Sequence, residues 1–238
     1  CDMFLFNRNE DEDFAYMMEG YRAGLLSEER LEEAVKRILA VKAALKLPQK
    51  QKEGTLVPGK ERLQILSCPE HDQWARECAD EGVTLVKDTQ GLLPISPDKH
   101  HRILLEIMGD YPSNERVCRS FVDRLRTEGF EVTVYQPEGF EVMYDTVEKF
   151  KNKYDLIMYV GNIETASNKT VARLSWHTMF GLGNNMPWMV HEMPVMFISI
   201  GNPYHLLDAP MVKTYINGYC NSEYVIGAVI DKILCRSP

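Results

Sequence analysis

Apolar and polar positions alternate along this chain in two registers. Residues 1–6 form a short apolar run broken by one acid, the pattern of the end of a buried strand. Asn9 then precedes four carboxylates at 10–13 and a helical pattern through Tyr21, so the acids sit where the positive end of a helix dipole favours them. Ser27 reads as the N-cap of a second helix opening with Glu28 and Glu29, and Leu31, Val35, Ile38, Leu39 and Leu45 give that helix an apolar stripe. Neither helix can bury its stripe alone. Residues 47–62 then lose periodicity, with Pro48, Gly54, Pro58 and Gly59 marking a linker. From residue 67 onward helical and strand-like segments alternate. Pro69 suits a first helical turn, and a helix over 71–82 feeds an apolar run at 83–86. Strands are predicted at 103–108, 130–135, 156–160, 195–200 and 214–216, and helices at 114–128, 140–150, around 203–207 and at 223–234. The run at 156–160 is apolar without alternation, as a central strand covered on both faces requires. The predicted fold is therefore α/β, a mostly parallel sheet sandwiched by helices.

Composition narrows the function more than the fold. The 238 residues carry 35 acidic and 27 basic side chains, a formal charge of −8, which argues against a nucleic acid or an anionic membrane as partner. No apolar run approaches the roughly 18 residues needed to span a bilayer. The cysteines, Cys1, Cys68, Cys78, Cys118, Cys220 and Cys235, are widely and irregularly spaced, so they are read as free thiols in a reduced core, which leans slightly towards a cytoplasmic protein. Cys68, His71 and Cys78 do not match the spacing of a closed zinc site, and neither a metal nor a cofactor is expected.

In a parallel α/β sheet, ligands favour the loops at the carboxyl ends of the strands. The loop at 109–114 has a single glycine and reads as a turn capped by Ser113. The long polar loop from Gly161 to His177 carries Glu164, Arg173, Trp176 and His177, a set that can stack on a sugar face and bond its hydroxyls. The loop at 201–205 permits a sharp turn that places Tyr204 and His205 in packing. Nucleophile elbows, phosphate-binding loops and metalloprotease motifs are absent from the sequence, and spacing marks no two carboxylates as a catalytic pair.

Longer motifs point further. CDMFLF at 1–6, GYRAG at 20–24, ERL at 29–31 and AVKRIL at 34–39 resemble the close of the catalytic barrel of glycoside hydrolase family 3. ARECADEGVTLVK at 75–87 and GLLP at 91–94 resemble the start of that family's second domain, and SIGNPYHLLD at 199–208 and KTYIN at 213–217 resemble later segments of it. Pro187-Trp188, His191-Glu192 and Pro194 fit the same domain, and the motifs are most similar to the bacterial β-N-acetylglucosaminidase branch.

The resemblance implies residues 1–46 as the terminal strand and helices of a truncated TIM-type barrel, 47–66 as linker, and 67–238 as the C-terminal α/β sandwich domain. It implies a retaining, exo-acting hydrolase that releases non-reducing-end β-linked N-acetylglucosamine. The nucleophile and proton donor of that branch would lie upstream of Cys1, leaving no catalytic residue in this chain. The expected partners are a glycan or cell-wall fragment containing that sugar and the chain's own N-terminal barrel. In the β-glucosidase or β-xylosidase branch a second-domain Glu is the acid/base, which would fall on Glu164, although the E-x-E-G context is missing. A non-catalytic glycan-binding or covering domain is the alternative from a different class, and Arg173, Trp176 and His177 are its substrate-binding candidates.

Overall fold

The structure is a computed structural model, and it describes residues 1–109, 113–135, 146–165, 172–174, 176, 178–179, 182–183, 187 and 189–236. The chain divides into two compact units, Cys1–Leu66 and Ser67–Pro238.

The first unit is helical: α1 (Glu10–Arg22), α2 (Glu28–Ala44), the short α3 (Leu47–Lys52) and a 3-10 turn at Lys60–Ile65. The first two helices begin where the sequence says they should. Asn9 accepts from the Glu12 amide at 3.2 Å and Ser27 from the Arg30 amide at 3.1 Å, each satisfying one of the orphan donors of a first turn. Residues 1–6 depart from expectation. They form no strand, because a strand exists only through a hydrogen-bonded neighbour and this unit offers none; Met3, Phe4, Leu5 and Phe6 are all exposed. Asp2 is instead tied to Arg30 at 2.5 Å and to Arg37 at 3.2 Å. No residue of the unit is buried. Phe4, Phe14, Met17, Tyr21, Leu26 and Leu31 line an apolar groove of about 610 Å³.

The second unit is a six-stranded sheet. Helix α4 (Pro69–Gly82) leads into β1 (Thr84–Asp88), followed by β2 (Arg102–Gly109), α5 (Ser113–Thr127), β3 (Glu131–Val134), α6 (Val147–Lys153) and β4 (Leu156–Asn162). A two-residue pair, β5 (Thr178–Met179) and β6 (Leu182–Gly183), precedes β7 (Val195–Ser199), β8 (Thr214–Asn217) and α7 (Glu223–Ile233). The order across the sheet is β1-β8-β7-β4-β2-β3; only β1 runs antiparallel, to β8. The five strands predicted in this unit are present, the apolar run at 83–86 falls in a sixth, β1, and the sheet is mostly parallel as expected.

Alternation along the central strands builds a core on each face. Ile103 and Leu105 of β2 and Leu156, Met158 and Val160 of β4 join Phe121 and Leu125 of α5 and Ile226, Val229 and Ile233 of α7. The intervening side chains, Leu104, Met108, Ile157 and Tyr159, join Phe150 of α6 and Met189, Val190 and Met193 on the opposite face. The six cysteines are free, but they are not core residues: Cys68 and Cys118 are half-buried and the other four are exposed. Among the described residues no helix is long and apolar enough to cross a membrane.

One ion pair secures the amino ends of β2 and β4. Asp155 accepts from the Arg102 guanidinium at 2.6 Å and from the Arg102 amide at 2.8 Å. The Arg102 bonds hold the Asp155 carboxyl below its usual value against the opposing effect of burial. A carboxylate depressed in this way stabilises the fold above its unfolded value, and the contribution is lost as the pH falls through the folded one. Asp155→Ala is expected to cost about 2 kcal/mol at pH 7 in urea unfolding of the complete protein, with the gap to the parent narrowing below about pH 4.

Candidate functional site

The five parallel strands end along one edge, and the loops leaving them carry the polar residues of interest. Strand β3 lies on one side of β2, while β4, β7 and β8 follow on the other, so the direction of winding reverses between β2 and β4. In open α/β sheets that reversal opens a ligand crevice. Here Asn162, at the end of β4 and only 1% exposed, occupies it. Its amide nitrogen donates to Ser113 Oγ and Asn114 Oδ1, both at 2.8 Å, and its oxygen accepts from Asn221 Nδ2 at 3.0 Å. Arg116 extends the network, donating to the Asn221 carbonyl at 2.7 Å and to Glu223 at 2.9 Å. The Ser113 hydroxyl thus ties the start of α5 to the end of β4. Gly109 allows the close approach: its φ is +141°, and a Cβ there would lie 2.0 Å from the Asn162 carbonyl oxygen.

The β4–β7 half of the edge is arranged differently. Tyr159, Phe197 and Tyr215 occupy matching registers on β4, β7 and β8, and their rings stack, Tyr159 on Phe197 at 6.3 Å and Phe197 on Tyr215 at 5.4 Å. Trp176, half-buried, meets Tyr159 edge-on at 6.4 Å, while His205 packs against Phe197 at 6.2 Å. Burial, with the Glu106 carboxylate adding to it, raises the Tyr159 hydroxyl well above its ordinary value, so this ring stays neutral.

Above the ladder lies a buried carboxylate. Asp208 follows the 3-10 turn His205–Leu207. It accepts from the Arg173 Nε, from the Leu174 amide at 3.2 Å and from His205 Nδ1 at 3.1 Å. Burial pushes this carboxyl up, but the bonds from His205, Leu174 and Arg173 outweigh it and hold the group below its usual value. His205 is completely buried, and its Nε2 has no hydrogen-bond partner among the described residues. Asn202 adds a further tie, donating to the Ala172 carbonyl at 2.9 Å, while Ser199 Oγ donates to the Asn202 carbonyl at 2.6 Å.

Three of the four candidates can therefore be placed. Arg173 and Trp176 come to the same stretch of the edge, Arg173 bonded to Asp208 and Trp176 on the aromatic ladder. Glu164 is exposed just beyond β4. His177 lies outside the described residues. The sequence reading missed Asp208, and it read His205 only as a packing residue; an acid three positions after a histidine on one turn was the available signal. The pair has the connectivity of an acid/base dyad, yet an imidazole with no accessible surface cannot pass a proton to a substrate. Among the described residues no cluster of three or more His, Cys, Asp or Glu could hold a metal ion.

No protein-family model matches the chain. A β-N-acetylglucosaminidase/β-glucosidase of Cellulomonas fimi is 40% identical over 245 residues, spanning 100% of this chain and 42% of that protein. A solved β-glucoside phosphorylase, BglX bound to 2FGlc, is also 40% identical, with a TM-score of 0.83 over 100% of this chain and 42% of its own. The family 3 β-N-acetylglucosaminidase of Paenibacillus sp. str. FPU-7 shares the fold at 15% identity, with a TM-score of 0.54 over 92% of this chain. The chain thus spans less than half the length of the relatives it matches. Its helix-sandwiched sheet matches the C-terminal α/β domain of glycoside hydrolase family 3 proteins. The resemblance to the C-terminal portion of glycoside hydrolase family 3 holds along the whole chain.

Asn162→Ala removes both donors and the acceptor of the crevice network and leaves the Asn221 amide and Ser113 hydroxyl to find new partners. The expected loss is about 2–3 kcal/mol in urea unfolding of the complete protein.

Proposed function

We propose that this chain is the C-terminal part of a retaining, exo-acting β-glycosidase of the family 3 type, releasing non-reducing-end β-linked N-acetylglucosamine. The observation that carries the reading is the 40% identity, over the full chain, to the Cellulomonas fimi protein whose name joins β-N-acetylglucosaminidase with β-glucosidase. In this reading residues 1–46 close the catalytic barrel, 47–66 link, and 67–238 form the second domain. The first unit supports it, because α1 and α2 expose Phe14, Tyr16, Val35, Leu39 and Val41, a surface that needs further polypeptide to cover it. The carboxyl edge supports it too. Asp208 is engaged by Arg173, Leu174 and His205, which fits the family 3 resemblance in leaving the nucleophile and the proton donor to the barrel. Retention then proceeds by two displacements, with the donor protonating the departing oxygen and a carboxylate attacking the anomeric carbon. The second domain's share is to offer Arg173, Trp176 and His177 to a glycan or cell-wall fragment.

A second reading concerns the acceptor. The solved relatives at 40% and 39% identity are β-glucoside phosphorylases, in which phosphate takes the place of water. One assay separates all of these. The complete protein is given chromogenic β-N-acetylglucosaminide and β-glucoside, with and without inorganic phosphate, and both free sugar and sugar 1-phosphate are measured. The expected result is a kcat/KM at least about tenfold higher for the N-acetylglucosaminide, a difference of about 1.4 kcal/mol in transition-state binding. A preference for the glucoside would discard the specificity, and phosphate-dependent release of sugar 1-phosphate would replace the hydrolase by a phosphorylase.

Glu164→Gln discriminates further. If the barrel supplies the acid, the rate changes by less than about threefold, whereas a general acid at Glu164 would cost about 10²–10⁴.

A further inference from the structure

We propose that Asp208 is a positioning residue: it fixes Arg173 and the Leu174 backbone so that residues 172–174 are held in one conformation, with His205 fixing Asp208 in turn. The functional part of this proposal rests on the glycosidase reading; the clamp itself does not.

The argument begins with an asymmetry. The Asp208 side chain is 7% exposed, while that of its partner Arg173 is 64% exposed. Burying a carboxylate to hold a cation that remains in solvent is a poor route to stability, because the desolvation cost falls on Asp208 and an exposed ion pair returns little. What the arrangement secures is geometry. A free arginine side chain on a surface samples many rotamers, and here its Nε is held by a carboxylate that also takes the next backbone amide. The carboxylate is itself aligned by His205, whose Nδ1 lies 3.1 Å from Asp208; among the described residues this is the imidazole's single polar contact, since Nε2 has no partner there. Packing fixes the ring as well. A Cβ on Gly161 would lie 2.9 Å from Phe197 and 3.4 Å from His205, so the strand leaves only glycine's width beside them. Asn202 anchors the same segment one residue earlier, at the Ala172 carbonyl. Three consecutive residues, Ala172, Arg173 and Leu174, are therefore held by the turn that follows β7.

The test uses the complete protein with Asp208→Asn, Asp208→Glu and Arg173→Gln. Two readouts are taken: amide hydrogen exchange of the peptide carrying residues 172–174, and kcat and KM on the chromogenic β-glycoside. With Asp208→Asn or Arg173→Gln, exchange in that peptide is expected to accelerate about tenfold, the factor that goes with one charge-assisted hydrogen bond, while peptides from β4 and β7 stay protected. KM is expected to rise about tenfold with kcat within about threefold, and Asp208→Glu to recover part of the loss. Arg173→Gln guards against a folding failure, since its exposed side chain supports no core. Unchanged exchange in both variants overturns the clamp. So does acceleration spread over all the strands, which marks a merely structural residue. Local acceleration with an unchanged KM overturns its role towards substrate. If the protein cleaves no β-glycoside, the glycosidase reading falls, and hydrogen exchange still decides whether Asp208 holds the segment.

Discussion

Strand β4 is buried at each of its seven residues, so every side chain from Leu156 to Asn162 must find either apolar packing or complete hydrogen bonding. That demand organises the second unit. Leu156, Met158 and Val160 feed the core shared with α5 and α7, and Ile157 and Tyr159 feed the opposite one. At about 2 kcal/mol for each large apolar side chain fully buried, five such residues make the strand's placement expensive to alter. A slip of one residue would exchange the two cores and bring Asn162 into apolar surroundings. The register that packs the strand also aligns Tyr159 with Phe197 and delivers Asn162 to the carboxyl edge.

The edge then divides according to how its polar groups are satisfied. Between β2 and β4, neutral amides and a hydroxyl answer one another around Asn162, with charge entering only at Arg116 and Glu223. Between β4 and β7 a desolvated carboxylate is surrounded by donors from two loops. The first arrangement spends Asn162 entirely on its neighbours, both amide hydrogens and the oxygen being bonded. The second holds a largely exposed cation in place, which is the condition under which a side chain can meet a ligand without first losing conformational freedom.

Much of this was legible in the sequence, and the division follows the range of the forces involved. Five strands of the sheet and the cap at Ser27 were readable because alternation and first-turn capping are local. The strand expected at residues 1–6 was not realised, because its apolar composition says nothing about whether a neighbouring strand is present. The cysteines were misplaced for a similar reason: type frequencies put Cys inside, yet Cys78 and Cys220 fall on outward-facing positions. At the site, Arg173 and Trp176 were found because a polar loop after a buried strand is a sequence-level signal. Asp208 lies 35 residues from Arg173, and only the side-by-side placement of β4 and β7 brings the two together.

The two halves of the edge together bear on where a glycan can be received. A crevice at the point where winding reverses is the usual ligand site of this architecture, and nucleotide binding by analogy of fold would place its phosphates there. Asn162, Asn114 and Asn221 fill it, and Gly109 lies so close to β4 that not even a methyl group fits between them. A ligand entering there would have to break three hydrogen bonds around the buried Asn162 and replace each of them. No comparable cost stands at the β4–β7 loops, where Glu164 and Arg173 already face solvent. With one half of the edge filled by its own amides, the side chains left open to a ligand are those of the β4–β7 loops.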